Sequence, residues 1–156
     1  MNILLWRHAE AADGSPDLER ALTVHGTKQA ARVAHWLSTR LPAGARVLAS
    51  PALRTRQTAQ ALDRNFEVDE RLAPHRDPRD YLEVIGWPLD PQAGNSDDTV
   101  VLVGHQPILG WVASTLMTGD AIGWSIDKGA LWWLTTRRRG GQHQALMNLV
   151  LNPELI

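Results

Sequence analysis

Three basic deliveries stand out in this sequence because each follows a short apolar run. Arg7 and His8 come directly after Ile3-Leu4-Leu5-Trp6, Arg54 comes shortly after Val47-Leu48-Ala49, and Gly104-His105 closes the run Thr99-Val100-Val101-Leu102-Val103. Two guanidiniums offer fork-shaped donors to the oxygens of an anion. Two imidazoles allow one ring to attack while the other binds. Metal ligation is the nearest competing chemistry, since Glu10 could join the two histidines. The neighbouring arginines would repel a cation, and no His-x-x-x-His pair occurs in the chain. The ordinary structural alternative is that Arg7 ends a strand and His8 simply packs. The threefold pattern favours an anion site.

Such residues, far apart in sequence, meet only if the runs before them are neighbouring parallel strands, because ligands sit beyond the carboxyl ends of strands in an open α/β sheet. The segments between the runs fit that demand. Thr23 is a candidate N-cap for a helix whose apolar stripe is Ala30, Val33, Ala34, Leu37 and Leu41, stopped by Pro42-Ala43-Gly44. Ser50 is a candidate cap, with Pro51 at the first helical position, for a second helix over 53–65 that carries Arg54 in its first turn and Thr58 and Ala61 on one narrow face. Phe66 to Asp69 reads as a weak peripheral strand, Tyr81 to Ile85 as a short helix after breaks at Pro74 and Pro78, and 86–98 as a loop. Pro107 starts and Gly119 ends a helix with Ile108, Leu109, Val112 and Leu116 on its buried side. Runs at 130–134 and 145–151, separated by a turn at 137–141, form a hairpin. The expected fold is a three-layer α/β sandwich on a mostly parallel six-stranded sheet with one antiparallel strand, in a single domain over 1–156.

Composition narrows the class further. Hydrophobic residues make up 44% and charged residues 21% of the 156, ordinary values for a globular chain able to bury a core. A formal net charge of −1 gives no basic field for nucleic acid, and the Arg137–Arg139 run reads as a solvated turn. The absence of cysteine excludes disulfides, a thiol nucleophile and thiolate-held metal. No apolar run approaches the ~18 residues of a membrane span, and Met1 leads directly into the first strand without a signal-peptide pattern. A cytoplasmic monomer is expected. Gln29 and Thr58 read as packing residues, Glu10 as a candidate for the pocket rim, and Trp87 and Trp124, in irregular segments, as candidates for the pocket mouth.

Four segments in order resemble one family. Leu5-Trp6-Arg7-His8-Ala9-Glu10 resembles the Arg-His-Gly signature of the histidine phosphatase superfamily, the phosphoglycerate mutase-like proteins. Residues 20–30 resemble its Leu-Thr-x-x-Gly-x-x-Gln-Ala segment, 50–59 the motif with its third phosphate-pocket residue, and 101–107 its final catalytic motif. Short length, the wording of 48–59 and the lack of cap insertions are similar to the small bacterial phosphohistidine phosphatases of the SixA type. The resemblance implies a phosphoglycerate mutase-like fold, His8 as a nucleophile that becomes phosphorylated, Arg7 and Arg54 as phosphoryl clamps, and His105 as the second histidine, binding phosphoryl oxygen. Ala9 departs from the usual glycine. It implies no metal or other cofactor. The expected partner is a phosphohistidine-bearing protein such as a phosphotransfer domain. The competing readings are a broad phosphomonoesterase of small molecules and a non-catalytic phosphoprotein-binding module. No general acid falls in an alignable motif; Glu70, His75 and Asp77 occupy the comparable stretch. An alkoxide leaving group needs such an acid, worth about 10²–10⁴-fold. Phosphohistidine, which leaves as an imidazole, needs it far less.

Overall fold

Why four consecutive apolar residues follow Asn2 becomes clear from where they lie. In the computed structural model, which describes residues 1–87, 98–139 and 142–156, strand β1 (Asn2–Arg7) is an interior strand covered on both faces, and Ile3 to Trp6 are fully buried. β4 (Thr99–Gly104) pairs with it in parallel and is equally apolar for the same reason. β2 (Arg46–Ala49) runs parallel beyond β4, and β3 (Glu67–Val68) is a two-residue edge strand. On the other side β5 (Leu131–Arg139) pairs antiparallel with β1, and β6 (Gln142–Leu151) antiparallel with β5. The sheet order is β3-β2-β4-β1-β5-β6, and β5 alone runs against the rest. The mixed sheet expected from the sequence is therefore present, with the hairpin supplying its antiparallel member.

Period-two alternation sorts each strand between two cores. Ile3, Leu5, Val100 and Leu102 face α3 (Pro78–Ile85) and α4 (Ile108–Thr118), whereas Leu4, Trp6, Val101 and Val103 face α1 (Val24–Ser38) and α2 (Leu53–Gln60). Thr23 caps α1 as expected, accepting from the Gly26 N–H at 2.9 Å, and Ala30, Val33, Ala34 and Leu37 are all buried. Pro107 and Gly119 bound α4.

Several boundaries differ from the sequence reading. α1 ends at Ser38, so Leu41 stays buried from a turn in which its N–H bonds the Leu37 carbonyl at 2.9 Å. α2 stops at Gln60 rather than 65, and Asp63 turns the chain with a φ of 50°. Ser50 does not cap α2. Ala52 holds that position and has no polar side chain to bond with, while the Ser50 hydroxyl accepts from the Ala52 N–H at 3.3 Å and lies 2.7 Å from His105 Nε2. Pro78 opens α3 instead of breaking it: its missing N–H costs nothing there, and Asp77 caps the helix by accepting from the Arg79 N–H at 2.9 Å. Arg137–Arg139 continue β5 in register with 142–144 rather than forming a turn, since backbone pairing holds a polar strand end as well as an apolar one. Gly140, Gly141 and most of the expected loop after Gly86 lie outside the described residues. No helix among the described residues is long and apolar enough to cross a membrane.

Candidate active site

The turn that leaves β1 is fixed atom by atom. His8 donates its backbone N–H to Gly104 O at 3.1 Å and accepts at its own carbonyl from the Gly129 N–H at 3.0 Å, so its main chain is held from both sides. Its ring Nδ1 lies 2.8 Å from Ala9 O. A carbonyl only accepts, so Nδ1 carries the proton of the neutral ring and Nε2 keeps a bare lone pair. The Ala9 N–H is in turn taken by Thr58 Oγ1 at 3.1 Å, while that hydroxyl donates to Arg54 O at 2.7 Å. The Glu10 N–H goes to Gln29 Oε1 at 2.9 Å, and Gln29 Nε2 donates to Glu154 Oε1 at 2.7 Å. Thr58 and Gln29, read from the sequence as packing residues, thus clamp the segment that carries His8. α1 begins so close to this segment that a Cβ on Gly26 would stand 1.9 Å from Glu10 O.

Around the ring lies an open cavity of about 550 Å³ into which Arg7, His8, Arg54 and His105 all project. The loops after β1 and β4 and the start of α2 bring these four together. Arg7 anchors one nitrogen, Nη1, on Ile126 O at 2.7 Å. Arg54, 4% exposed, donates Nη1 to Asp17 O at 2.7 Å and Nη2 to Asp17 Oδ2 at 2.9 Å. Both arginines keep a buried Nε without a partner among the described residues. The His8 and His105 ring centroids are 5.2 Å apart, and His105 Nε2 lies 2.7 Å from Ser50 Oγ.

Burial and charge act in the same direction on both imidazoles. Burial first, then the Arg54, Arg7 and Arg20 charges, hold His8 at about 4 against the opposing bond to Ala9 O. Burial, then the His8 and Arg54 charges, push His105 down to about 2. Burial also lowers Arg7, with Asp127 opposing, and the hydrogen bond from Arg54 lowers Asp17. At neutral pH the site therefore combines two uncharged rings with guanidiniums that keep their charge. That combination can hold an oxyanion and attack its central atom.

The three acid candidates separate. His75 lines the cavity, in an exposed loop with a φ of 91°. Asp77 does not line it: it caps α3 and pairs with Arg79 at 3.0 Å. Glu70 is exposed and also away from the cavity, its carbonyl accepting from Arg76 Nε at 3.2 Å. Glu10 sits off the rim, because its carboxylate accepts from the Thr23 hydroxyl at 2.7 Å. Trp111 lines the mouth, whereas Trp87 and Trp124 do not. Gly104 is needed for a reason other than ligand approach: a Cβ there would meet Tyr81 Cε1 at 2.8 Å. Sequence reasoning missed Asp17 and Arg20, which bond each other at 3.0 Å, and also Arg76 and Lys128 on the wall. The signal for the first pair was an Asp and an Arg three apart, inside a loop otherwise read as solvated. Among the described residues no cluster of three or more His, Asp or Glu side chains is arranged to hold a metal ion.

Two neutral imidazoles that share a cavity with the guanidiniums of Arg7 and Arg54, at the carboxyl edge of a mostly parallel sheet, define an oxyanion site on an α/β sandwich. The comparisons specify it. The sequence profile of the histidine phosphatase superfamily (branch 1) matches residues 3–79. The chain is 31% identical over 133 residues to a phosphohistidine phosphatase SixA homolog of Haemophilus influenzae, covering 74% of this chain and 77% of that one. It is 27% identical over 123 residues to the phosphohistidine phosphatase SixA of Escherichia coli, covering 77% and 76%. The structure of the protein histidine phosphatase SixA complexed with tungstate superposes with a TM-score of 0.77 at 25% identity over 99% of both chains. The chain belongs to the histidine phosphatase superfamily and is SixA-like within it.

Proposed function

We propose that this chain, acting as one domain, removes the phosphoryl group from phosphohistidine on a protein through a phosphohistidine enzyme. The observation that carries the reading is the fixed tautomer of His8, whose Nδ1–H is spent on Ala9 O and whose Nε2 has no partner among the described residues, in a cavity that Arg7 and Arg54 also line. Nε2 forms the bond to phosphorus as the phosphorus–nitrogen bond of the substrate breaks. The departing imidazole keeps the electron pair and carries a proton on its ring, so it leaves neutral. Water then attacks the phosphorus on His8; inorganic phosphate departs and His8 returns to its neutral form. The unpartnered donors of Arg7 and Arg54 take the equatorial oxygens. Ser50 Oγ, which already accepts from the Ala52 N–H at 3.3 Å, donates to His105 Nε2 and so leaves the ring proton on Nδ1 for a phosphoryl oxygen. These groups supply the positive field, and the scheme calls for no metal.

The relatives named phosphohistidine phosphatase support this substrate class, and tungstate in one of them is an oxyanion of the phosphate type. The placement of the acid candidates supports it as well. Asp77 is spent on capping α3, Glu70 lies away from the cavity and His75 is exposed, so an alkoxide would leave with little help, whereas an imidazole needs little. The test is turnover of a phosphohistidine phosphotransfer domain, an aryl phosphate and an alkyl phosphate, with rapid quenching and mass spectrometry of the enzyme. Phosphate on His8, absent in His8→Ala, with alkyl esters far the slowest, is the expected result. Fast hydrolysis without a phosphoenzyme, or an alkyl ester as fast as phosphohistidine, would overturn the proposal.

A further inference from the structure

The cavity is far more cationic than the chain that forms it. Its lining holds five cations, Arg7, Arg20, Arg54, Arg76 and Lys128, against one carboxylate, Asp17, although the formal net charge of the whole chain is −1. Three of the five have tasks already. Arg7 and Arg54 serve the phosphoryl group, and Arg20 is held by Asp17 at 3.0 Å and Asp13 at 3.9 Å. The other two do not. Among the described residues the Arg76 side chain makes a single bond, from Nε to the Glu70 carbonyl, and neither it nor Lys128 forms an ion pair. Asp127, next to Lys128, accepts instead from Asn152 at 3.3 Å. Arg76 stands on the loop before α3 and Lys128 on the loop before β5, both exposed. A phosphoryl group held at the inner arginines does not need them.

The space also continues past Arg76. A second cavity of about 550 Å³ shares Asp17, Pro74, His75 and Arg76 with the first and is walled by Pro16, Leu18, Ala73 and one further carboxylate, Glu19. The extension is more space than a phosphoryl group fills, and a polypeptide carrying that group would have room to run along it past Arg76.

We infer that the phosphorylated partner is acidic around its phosphohistidine, presenting carboxylates to Arg76 and Lys128 at the mouth of the pocket. The inference rests on the proposed phosphohistidine reading and adds to it the chemistry of the partner's face. Exposed pairs of this kind act chiefly on encounter and specificity, and their effect fades with salt.

Two phosphohistidine peptides that differ only in flanking Glu or Lys residues test it. The wild-type enzyme should favour the acidic peptide by about fivefold in kcat/KM at low ionic strength, with the ratio shrinking at high salt. In Arg76→Glu/Lys128→Glu, checked for folding by circular dichroism, the preference should disappear or invert. A second arm needs no phosphohistidine chemistry: the same two peptides without phosphate are used as inhibitors of aryl phosphate hydrolysis. The acidic one should inhibit wild type better than the basic one, and the charge-reversed enzyme should lose that difference. Hydrolysis of the two phosphopeptides at equal rates, equal inhibition by the two unphosphorylated peptides, or a preference that survives charge reversal overturns the inference. Failure to hydrolyse either phosphopeptide, with selective inhibition intact in the second arm, would sink the phosphohistidine reading and leave the acidic-partner surface supported.

Discussion

Thr58 offers the sharpest test of how His8, the proposed nucleophile, is held. Its hydroxyl accepts the buried Ala9 N–H at 3.1 Å and donates to Arg54 O at 2.7 Å, joining α2 to the turn that carries His8. Thr58→Val keeps the shape and removes both bonds. The Arg54 carbonyl retains its helical partner, since Thr58 lies four residues on in α2. The Ala9 N–H retains nothing. Leaving that donor buried and unpaired costs about 1–3 kcal/mol, a drop of roughly 2–10 °C in Tm for a chain of this size. Because Ala9 O fixes the His8 tautomer, the looser turn should also lower kcat on every phosphoryl substrate, by about tenfold. Thr58→Ser, which keeps the hydroxyl and loses only a methyl, should restore most of the rate. Thermal unfolding followed by circular dichroism, with kcat on an aryl phosphate, decides the matter. A Thr58→Val enzyme with wild-type kcat, or Thr58→Ser no better than Thr58→Val, would refute the reasoning.

Three other outcomes follow from the site. His8 is held at about 4, chiefly by burial, so the unfolded chain, with an ordinary histidine near 6.5, binds the more protons in between. Its contribution to stability is therefore complete above pH 6.5 and is lost as pH falls from there through 4; an imidazole NMR titration of His8 with a midpoint near 6.5 would contradict the burial argument. Gly104→Ala drives a Cβ to 2.8 Å from the ring of Tyr81, itself fully buried with its hydroxyl on Leu72 O at 2.7 Å, and should cost about 1–3 kcal/mol in urea unfolding, where an unchanged midpoint would show that Tyr81 yields. Exhaustive EDTA treatment should leave hydrolysis intact, since Arg7, Arg54 and His105 carry the charge stabilisation in the proposed scheme; a loss restored only by a divalent ion would reverse that assignment.

Much of the fold could be read from the chain because its signals are local. β1 and β4 announce themselves as apolar runs too short for helices, and Thr23, Pro107 and Gly119 mark helix ends by their own chemistry. The same local logic misplaced Ser50 and Pro78. A Ser-Pro pair before a helix suits a cap, and nothing nearby in sequence shows that the Ser50 hydroxyl is taken by His105, fifty-five residues away. Pro78 looks like a break until Asp77 is seen turning inward to cap, and that choice also removes Asp77 from the list of acids lining the cavity.

The polar roles that sequence reading missed at Thr58, Gln29 and Asp17 share one property: each is a hydrogen bond across a long separation in the chain. Thr58 reaches Ala9 over 49 positions, Gln29 reaches Glu154 over 125, and Asp17 reaches Arg54 over 37. Hydrophobic periodicity carries no trace of such bonds, because one hydroxyl or amide on an otherwise ordinary helix face leaves the pattern unchanged. The four central residues were legible for the opposite reason. Arg7, His8 and His105 stand at or just past the end of a buried strand and Arg54 in the first turn of the helix that follows β2, all at the carboxyl edge of the sheet. Sequence thus marks what the sheet delivers, and structure is needed for what orients the delivery. In the proposed scheme the orienting groups matter to the chemistry: without Ala9 O on Nδ1, the proton of His8 is free to sit on Nε2, and the lone pair that the scheme brings to phosphorus would face the backbone instead.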